Sequence, residues 1–427
     1  MKRQLAKPLL SLLLSCSLSS LAVADSLKNE IGKFIDNHPK VNTAKQQLIN
    51  SGIDIEVAKA NYMPVLNVNG DVGSQDFEDT YLNVDNNLEN NRYMVEISQN
   101  LFRGYRDKAA IDESMVKEKI AIKTYENIKQ SITLEATNAY LDVLHYHLSD
   151  SKVSKKVEIL NKLVGLIEKA KRSGSRTDVD IYEAQLTAQQ ALEQQIDIQG
   201  KQQSALGQFQ SIFGYQPNVN DFTMPSYRAS QLPGSLEDAL ETAKNQSVVI
   251  TIAQSNIEKA GFNKDAVSGE YWPTVDLVTS YSEEKNKEGT EGRTKDGRIY
   301  LRMEWKYNLG NQINKKVRSA EGYVVSEKYN YDAIVKEVEQ NVRLAWQKYS
   351  TLQRRHQLAK DTLGIAQSVY KARLDLKSRG KGNNMAIINA NIRLIDSEIA
   401  MINAEFESIK SVYNLSKELG TIETITQ

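Results

Sequence analysis

The chain has 427 residues and carries 54 basic and 54 acidic side chains, so its net charge at neutral pH is zero. That balance gives no long-range field to gather nucleic acid or acidic substrates. Its seven prolines stand at 8, 39, 64, 217, 225, 233 and 273, and the proline-free tracts 65–216 and 274–427 that they leave argue for extended helices over a string of small layered domains.

Residues 1–24 read as a secretory signal: Lys2 and Arg3, an apolar run over 9–21, then the small residues Ala22-Val23-Ala24 before Asp25. Leu13-Leu14-Ser15 before Cys16 offers the competing lipoprotein reading. Cleavage after Ala24 removes the single cysteine, so the mature chain needs no disulfide or thiol chemistry. No later segment approaches the ~20 consecutive apolar residues of a membrane helix, so any membrane span must be β.

Residues 26–61 predict helix with a turn at Asn37-His38-Pro39, ended by Tyr62-Met63-Pro64. A strand follows, in which Leu66, Val68 and Val72 alternate with Asn67, Asn69 and Asp71. The polar stretch 73–91 predicts a loop, and 92–101 a second strand. A long helix then runs to about Arg172, is broken at Ser173-Gly174-Ser175, and is followed by a helix from Asp178 to about Phe213. After the proline-bearing stretch 214–234 the order starts again: helix over 235–270 with a turn at Asn245-Gln246-Ser247, a strand from Val275 to Tyr281, a charged loop over 282–297, and a strand over 298–309. In that last strand Ile299, Leu301, Met303, Trp305, Tyr307 and Leu309 form one face. A helix over 312–378, a break at Arg379-Gly380-Lys381-Gly382 and a helix over 384–419 complete the chain. At 1.5 Å per residue each of the two longest helices would run about 100 Å.

This is a duplication. Tyr62 and Pro64 match Tyr271 and Pro273, each 209 residues on, while Gly174 matches Gly380, 206 on. The expected organisation is a signal (1–24), a first repeat (25–214), a connecting segment (215–234), a second repeat (235–420) and a short tail (421–427). In the last helix Met385, Ile388, Ile392, Ile395, Ile399, Ile402, Phe406, Ile409 and Tyr413 form a heptad seam. Ile387, Leu394 and Met401 flank it, which predicts a neighbour on each side.

The fold class expected is therefore an α+β membrane protein: a duplicated unit giving four strands per subunit, continued by long helices. Strands in lipid must close into a barrel, and single-chain barrels start at about eight strands, so a four-stranded chain has to oligomerise. The alternation assigns Val95, Ile97, Leu277, Leu301, Met303 and Trp305 to the lipid face, and Glu96, Asp276, Arg302, Glu304 and Lys306 to a wet lumen. Tyr62, Tyr271, Trp272, Trp305 and Tyr307 cluster near the strand–helix junctions, as an interfacial girdle would.

In these features the chain resembles the outer-membrane factor (TolC) channels. The likeness rests on the duplication, the Tyr62-Met63-Pro64 and Trp272-Pro273 turns into the strands, Leu101-Phe102-Arg103-Gly104 at the strand-to-helix junction, and the hairpin glycines Gly174 and Gly380. It implies a homotrimer with a twelve-stranded barrel in outer-membrane lipid and a helical tunnel in the periplasm. It also implies docking to a periplasmic adaptor and to an inner-membrane ABC transporter or proton-driven pump. Family members close the tunnel near the hairpin tips, which makes Arg176, Asp178 and Asp180 gate candidates, with helix capping as their simpler role. Gly174, Lys377, Arg379, Gly380 and Lys381 are candidates for docking the adaptor. The second repeat departs from the pattern, with Tyr307-Asn308-Leu309-Gly310 at its junction and Gly382, Asn384 and Ala386 where gating charges would stand.

No site for enzyme chemistry, cofactor or metal is expected. His145 and His147, two apart on a helix, point about 200° apart and read as helix-surface residues. The basic turn 377–382 lacks the Gly-Lys-Ser/Thr of a phosphate loop. The weak lipobox and the junction at 101–106 favour type I protein secretion, with small-molecule (drug or metal) efflux as the alternative. A periplasmic coiled-coil adaptor or structural protein is a more distant reading, since it leaves the four repeated strands unexplained.

Overall fold

The structure, a computed structural model, describes residues 31–422 apart from 33, 36, 82, 83 and 226–231. The signal, its cleavage or lipidation, and most of the tail lie outside the described residues.

Helix α1 (Pro39–Ala60) starts at a proline, with His38 Nδ1 accepting from Lys40 N. Strands β1 (Val65–Asp79) and β2 (Val84–Phe102) form a hairpin. Helices α2 (Arg106–Arg172) and α3 (Asp178–Phe213) form a long helical hairpin of 67 and 36 residues. The second repeat follows as α4 (Leu236–Gln246), α5 (Val248–Ser268), β3 (Thr274–Lys285), β4 (Arg293–Glu304), α6 (Gln312–Ser378) and α7 (Asn384–Leu419). Helices α6 and α7 again have 67 and 36 residues, so the two hairpins match in length to the residue.

The four strands form one antiparallel sheet in the order β1-β2-β3-β4, open at both edges. Helix α2 lies at the centre of the helical wall, in contact with α1, α3, α5 and α7, while α6 packs against α5 and α7. Helix α7 thus has α2 on one side and α6 on the other, which its two apolar flanks predict. Among the described residues no helix is long and apolar enough to cross a membrane.

The main core sits where the helices thicken midway along the molecule. Tyr140, Leu141, Phe209, Phe406, Val412 and Tyr413 are fully buried there. Tyr140 fastens the connecting segment to α2. Its hydroxyl donates to Thr223 O and accepts from Thr223 N, both at 2.9 Å, and its ring stacks on Phe222 at 4.2 Å. A second cluster, with Ala239, Ala243, Val342, Leu415 and Leu419, does the same for the second repeat. Further down, Leu160, Leu163 and Ile167 of α2 pack on the small residues Ala184, Ala188 and Ala191 of α3, with Met385, Ile388 and Ile392 of the α7 seam against them.

Three expectations are corrected. The stretches 73–91 and 282–297 are not loops: β1 runs to Asp79 and β2 begins at Val84, while β3 runs to Lys285 and β4 begins at Arg293. Alternation fails there because both faces are polar, yet the ladder continues on cross-strand polar pairs. Ser74 donates to Asn87 at 2.7 Å, Asn90 to Gln75 at 3.0 Å, and Arg293 pairs with Glu283 at 3.0 Å. At the other end β4 stops at Glu304, so Trp305, Lys306, Tyr307 and Leu309 lie beyond the strand. Trp305 instead turns its indole N–H to Tyr271 O at 3.2 Å. His145 is packed between α2 and α7 rather than free on a helix surface, 2.7 Å from Asn403 Oδ1 and stacked on Phe406. Burial holds its imidazole below the ordinary range.

A candidate channel wall and two helical tips

Pairing across the sheet sorts the side chains into two faces. Glu96 stands opposite Ser280, and Asp276 opposite both Asn100 and Arg302; these belong to one polar face with Glu304, opposite Thr274. Arg302 reaches across β3 to Glu96 at 3.2 Å and donates to Tyr300 Oη at 2.8 Å. Val95 and Ile97 stand opposite Tyr281 and Thr279, and Leu277 opposite Leu301, on the other face with Met303. The two sets of strand residues therefore stand on opposite faces of the sheet, apart from Trp305 and Lys306 beyond the strand end. Lys306 pairs with Glu304 at 2.5 Å and lines a cleft of about 560 Å³ with Arg106, Glu270 and Trp272.

The apolar face is left exposed within the chain. Ile299, Leu301 and Met303 are 75, 65 and 70% exposed, whereas Val278 on the polar face is fully covered. A sheet in water buries its apolar face, because removing apolar area from water is what stabilises it. This one does the reverse within the chain, and a contiguous apolar face of this extent marks contact with lipid or a partner.

The strands pass into the long helices at two matching junctions. Tyr105 and Asn311 both adopt the left-handed conformation, at φ 63° and 59°, just before α2 and α6 begin. At the first junction Gly104, with φ +63°, lies so close to the end of α5 that a Cβ would stand 2.2 Å from Gly269 O. Sequence reading gave Gly104 only a place in a short motif; its contact with residue 269 joins segments too far apart in sequence for any local pattern to reveal.

At the far end the two hairpin tips are built alike. The Gly174 amide donates to Lys171 O and Ser175 N to Ala170 O; Gly380 donates to Lys377 O and Lys381 N to Leu376 O. Both glycines are left-handed, at φ +73° and +72°, as this type of helix end requires. The gate candidates are tied up within their own tip. Thr177 N donates to Asp180 Oδ2 at 2.8 Å while Asp180 N donates to Thr177 Oγ1, a reciprocal cap for α3. Arg176 pairs with Asp180 at 3.0 Å, and Lys171 with Asp178. In the second tip Asn383 caps α7 and Arg379 pairs with Asp375 at 3.0 Å, while Lys377 and Lys381 project without an ion pair among the described residues.

The bonds from Thr177 hold the Asp180 carboxyl below its ordinary value of 3.8, so the cap contributes fully above pH 3.8 and is lost as pH falls through the depressed value. Asp180→Ala is accordingly expected to lower the thermal midpoint by more at pH 7 than at pH 2, as followed by circular dichroism. An equal loss at both pH values would show that the ionised cap is not what Asp180 supplies. Among the described residues no cluster of His, Cys, Asp and Glu is arranged to hold a metal.

A four-stranded sheet with its apolar face outward, continued by helical hairpins whose longer arms run ~100 Å, defines an outer-membrane channel subunit with a duplicated fold. The family model for outer membrane efflux proteins matches the chain twice, over residues 31–215 and 239–421, once for each repeat. The chain belongs to the outer membrane efflux protein family. It is 19% identical over 375 residues to the outer membrane efflux protein BepC of Brucella suis biovar 1 (strain 1330), an alignment covering 88% of this chain and 80% of that one. Its fold is similar to that of the outer membrane protein VceC of Vibrio cholerae, with a TM-score of 0.75 at 15% identity over 92% of this chain and 96% of that one. It is also similar to the open state of the MtrE outer membrane channel of Neisseria gonorrhoeae, with a TM-score of 0.75 at 14% identity, covering 94% and 90% of the two chains.

Proposed function

We propose that three copies of this chain close a twelve-stranded barrel in the outer membrane, and that their helices form a tunnel in the periplasm. In this reading the assembly is the exit duct of a tripartite export system. The observation that carries it is the sheet with an exposed apolar face and two open edges. In lipid, unpaired edges are untenable, and a closed barrel is the arrangement that satisfies them. The polar face with Glu96, Asp276, Arg302 and Glu304 then lines the water-filled bore.

The helical tips meet the periplasmic adaptor through Lys377 and Lys381, which make no ion pair among the described residues, beside Gly174, Arg379 and Gly380, and the adaptor links the duct to an inner-membrane ABC transporter or proton-driven pump. Arg176, Asp178 and Asp180 narrow the tunnel mouth in the resting state. The same carboxylates cap α3, so replacing Asp178 and Asp180 by Ala is read by single-channel conductance in planar bilayers. A rise marks a gate; unchanged conductance with lowered thermal stability reduces these residues to caps.

For cargo, the weak lipobox and the junction at 101–106 support type I protein secretion, while the efflux name of the Brucella relative supports small-molecule export. Deletion separates the two. Loss of one secreted polypeptide with unchanged drug and metal tolerance supports the first; raised sensitivity with unchanged secretion supports the second.

Orientation is tested by labelling. In this reading the β1–β2 and β3–β4 turns face the cell exterior. Tyr81, 97% exposed, and the exposed Glu291 lie in those turns. Cysteines at Tyr81 or Glu291 are expected to react with an impermeant maleimide on intact cells. Reaction only after the outer membrane is breached would reverse the orientation.

A further inference from the structure

We propose that the joint between the two repeats, where α2 meets α7 midway along the molecule, is acid-sensitive, and that His145 is the residue that makes it so. Proton uptake there sets a second positive charge beside Lys410 inside the helical wall and loosens the packing of the two helices. This holds within a single chain and does not depend on the channel reading proposed above.

The joint differs from the hairpin seam beside it. Within the first hairpin α2 meets α3 on an apolar ladder, Leu160, Leu163 and Ile167 against Ala184, Ala188 and Ala191. Helices α2 and α7 come from different repeats, and polar pairs link them on either side of the apolar contact of Val153 with Ile395 and Ile399. Asp142 pairs with Lys410, His145 with Asn403, Lys152 with Glu398 at 2.8 Å, and Lys156 with Asp396 at 2.7 Å. Histidine is the side chain whose charge changes near neutrality, and His145 is the one histidine among these pairs. The joint has little reserve to absorb a new charge. The buried hydroxyls of Ser149 on α2 and Ser408 on α7 already lack partners among the described residues.

The surroundings favour the neutral ring. It stacks on Phe406 at 4.9 Å and on Tyr146 at 4.8 Å, with Nε2 2.7 Å from Asn403 Oδ1. With Nε2–H donating to Asn403, Nδ1 is the atom that takes the proton, and it has no hydrogen-bond partner among the described residues. Asp142 of α2 and Glu407 of α7 favour the imidazolium, whereas Lys410 of α7 opposes it and already holds Asp142 in its own ion pair. Lys348 of α6 completes the set, lining with Asp142, Glu407 and Lys410 a polar niche of about 250 Å³ beside the joint. Burial pushes the Tyr146 phenol up, so that neighbour stays neutral. Two acids meet two lysines, no net negative charge is left to hold an imidazolium, and removal from water decides the balance. Burial, aided by Lys410, thus outweighs the Asn403 bond and the carboxylates and keeps the imidazole below 6.5. Because the folded value is the lower one, the ring costs nothing above pH 6.5, and the fold is penalised as pH falls from there through the depressed value. His38, also held low by burial, caps α1 and lies outside the joint.

Hydrogen exchange of the full chain in detergent tests this, read by mass spectrometry at pH 7.5 and 5.5 and corrected for the intrinsic rate at each pH. Peptides covering 138–149 and 400–411 are expected to lose protection roughly threefold or more on acidification, while those covering 160–167 on the apolar ladder keep theirs. His145→Gln retains a donor toward Asn403 and cannot take a charge, so it is expected to remove the acid response. His38→Asn, which keeps a capping side chain, is expected to leave the response in place. Where the Gln variant does not fold, His145→Phe supplies an uncharged ring against Phe406, and the comparison is between the two pH values within each variant. An acid response undiminished in the His145 variants, or spread equally over the apolar ladder, would overturn the assignment to His145. Equal protection at both pH values in the parent chain would overturn the acid-sensitive joint altogether.

Discussion

Met303→Arg is expected to eliminate the assembled channel, while Arg302→Met, one residue away, leaves assembly intact and changes conductance. Met303 is 70% exposed on the apolar face, opposite Val275. In the proposed trimeric barrel a charge there is desolvated by the bilayer at a cost of about 2–4 kcal/mol near the midplane, repeated in every subunit. Arg302 projects from the other face toward Glu96, where water can replace that ion pair. An exposed pair of that kind contributes about 0–1 kcal/mol. Heat-resistant trimer on gels and recovery in the outer-membrane fraction read the first effect; planar-bilayer conductance reads the second. Equal assembly defects in the two variants would mean that the strand faces are assigned the wrong way round.

Gly104→Ala is expected to be the most damaging single methyl group in the chain. A Cβ there stands 2.2 Å from the Gly269 carbonyl oxygen and 2.9 Å from Trp272 Cβ, and the backbone φ of +63° is itself unfavourable for alanine. The obstruction is the Gly269 backbone and the Trp272 Cβ, which is fixed to its own backbone, so no side-chain rotation relieves it. Left-handed strain and overpacking each cost about 1–3 kcal/mol, and here they act together. The site matters beyond stability: it fixes the end of β2 against the end of α5, where the sheet gives way to the helical wall. Loss of trimer and a lowered thermal midpoint are expected. Gly364→Ala is the control. It lies in the interior of α6 with open space where its Cβ would go, and removing a helix glycine stabilises by about 0.5–1 kcal/mol. A Gly104→Ala protein with the parent's midpoint would show that the junction yields without strain.

Much of this architecture is legible in the sequence because its signals are local. Glycine at 174 and 380, with capping residues three or more positions on, marks both tips, and α3, α6 and α7 begin or end where those residues stand. The duplication adds a second, independent reading of each element. The membrane strands are legible only where their two faces differ. Above Asp71 and Ser280, where side chains on both faces are polar, alternation carries no information and the extended ladders look like loops.

By itself, then, the sequence determined the repeated unit, the helix lengths, the tips and the two faces of the strands, since each depends on residues within a turn or a pleat of one another. Only the tertiary structure decided the rest. It brought Gly104 to Gly269, set His145 between α2 and α7, and stopped β4 at Glu304. Those outcomes depend on which distant backbone arrives at a given place, and long-range packing, unlike periodicity, leaves no pattern along the chain.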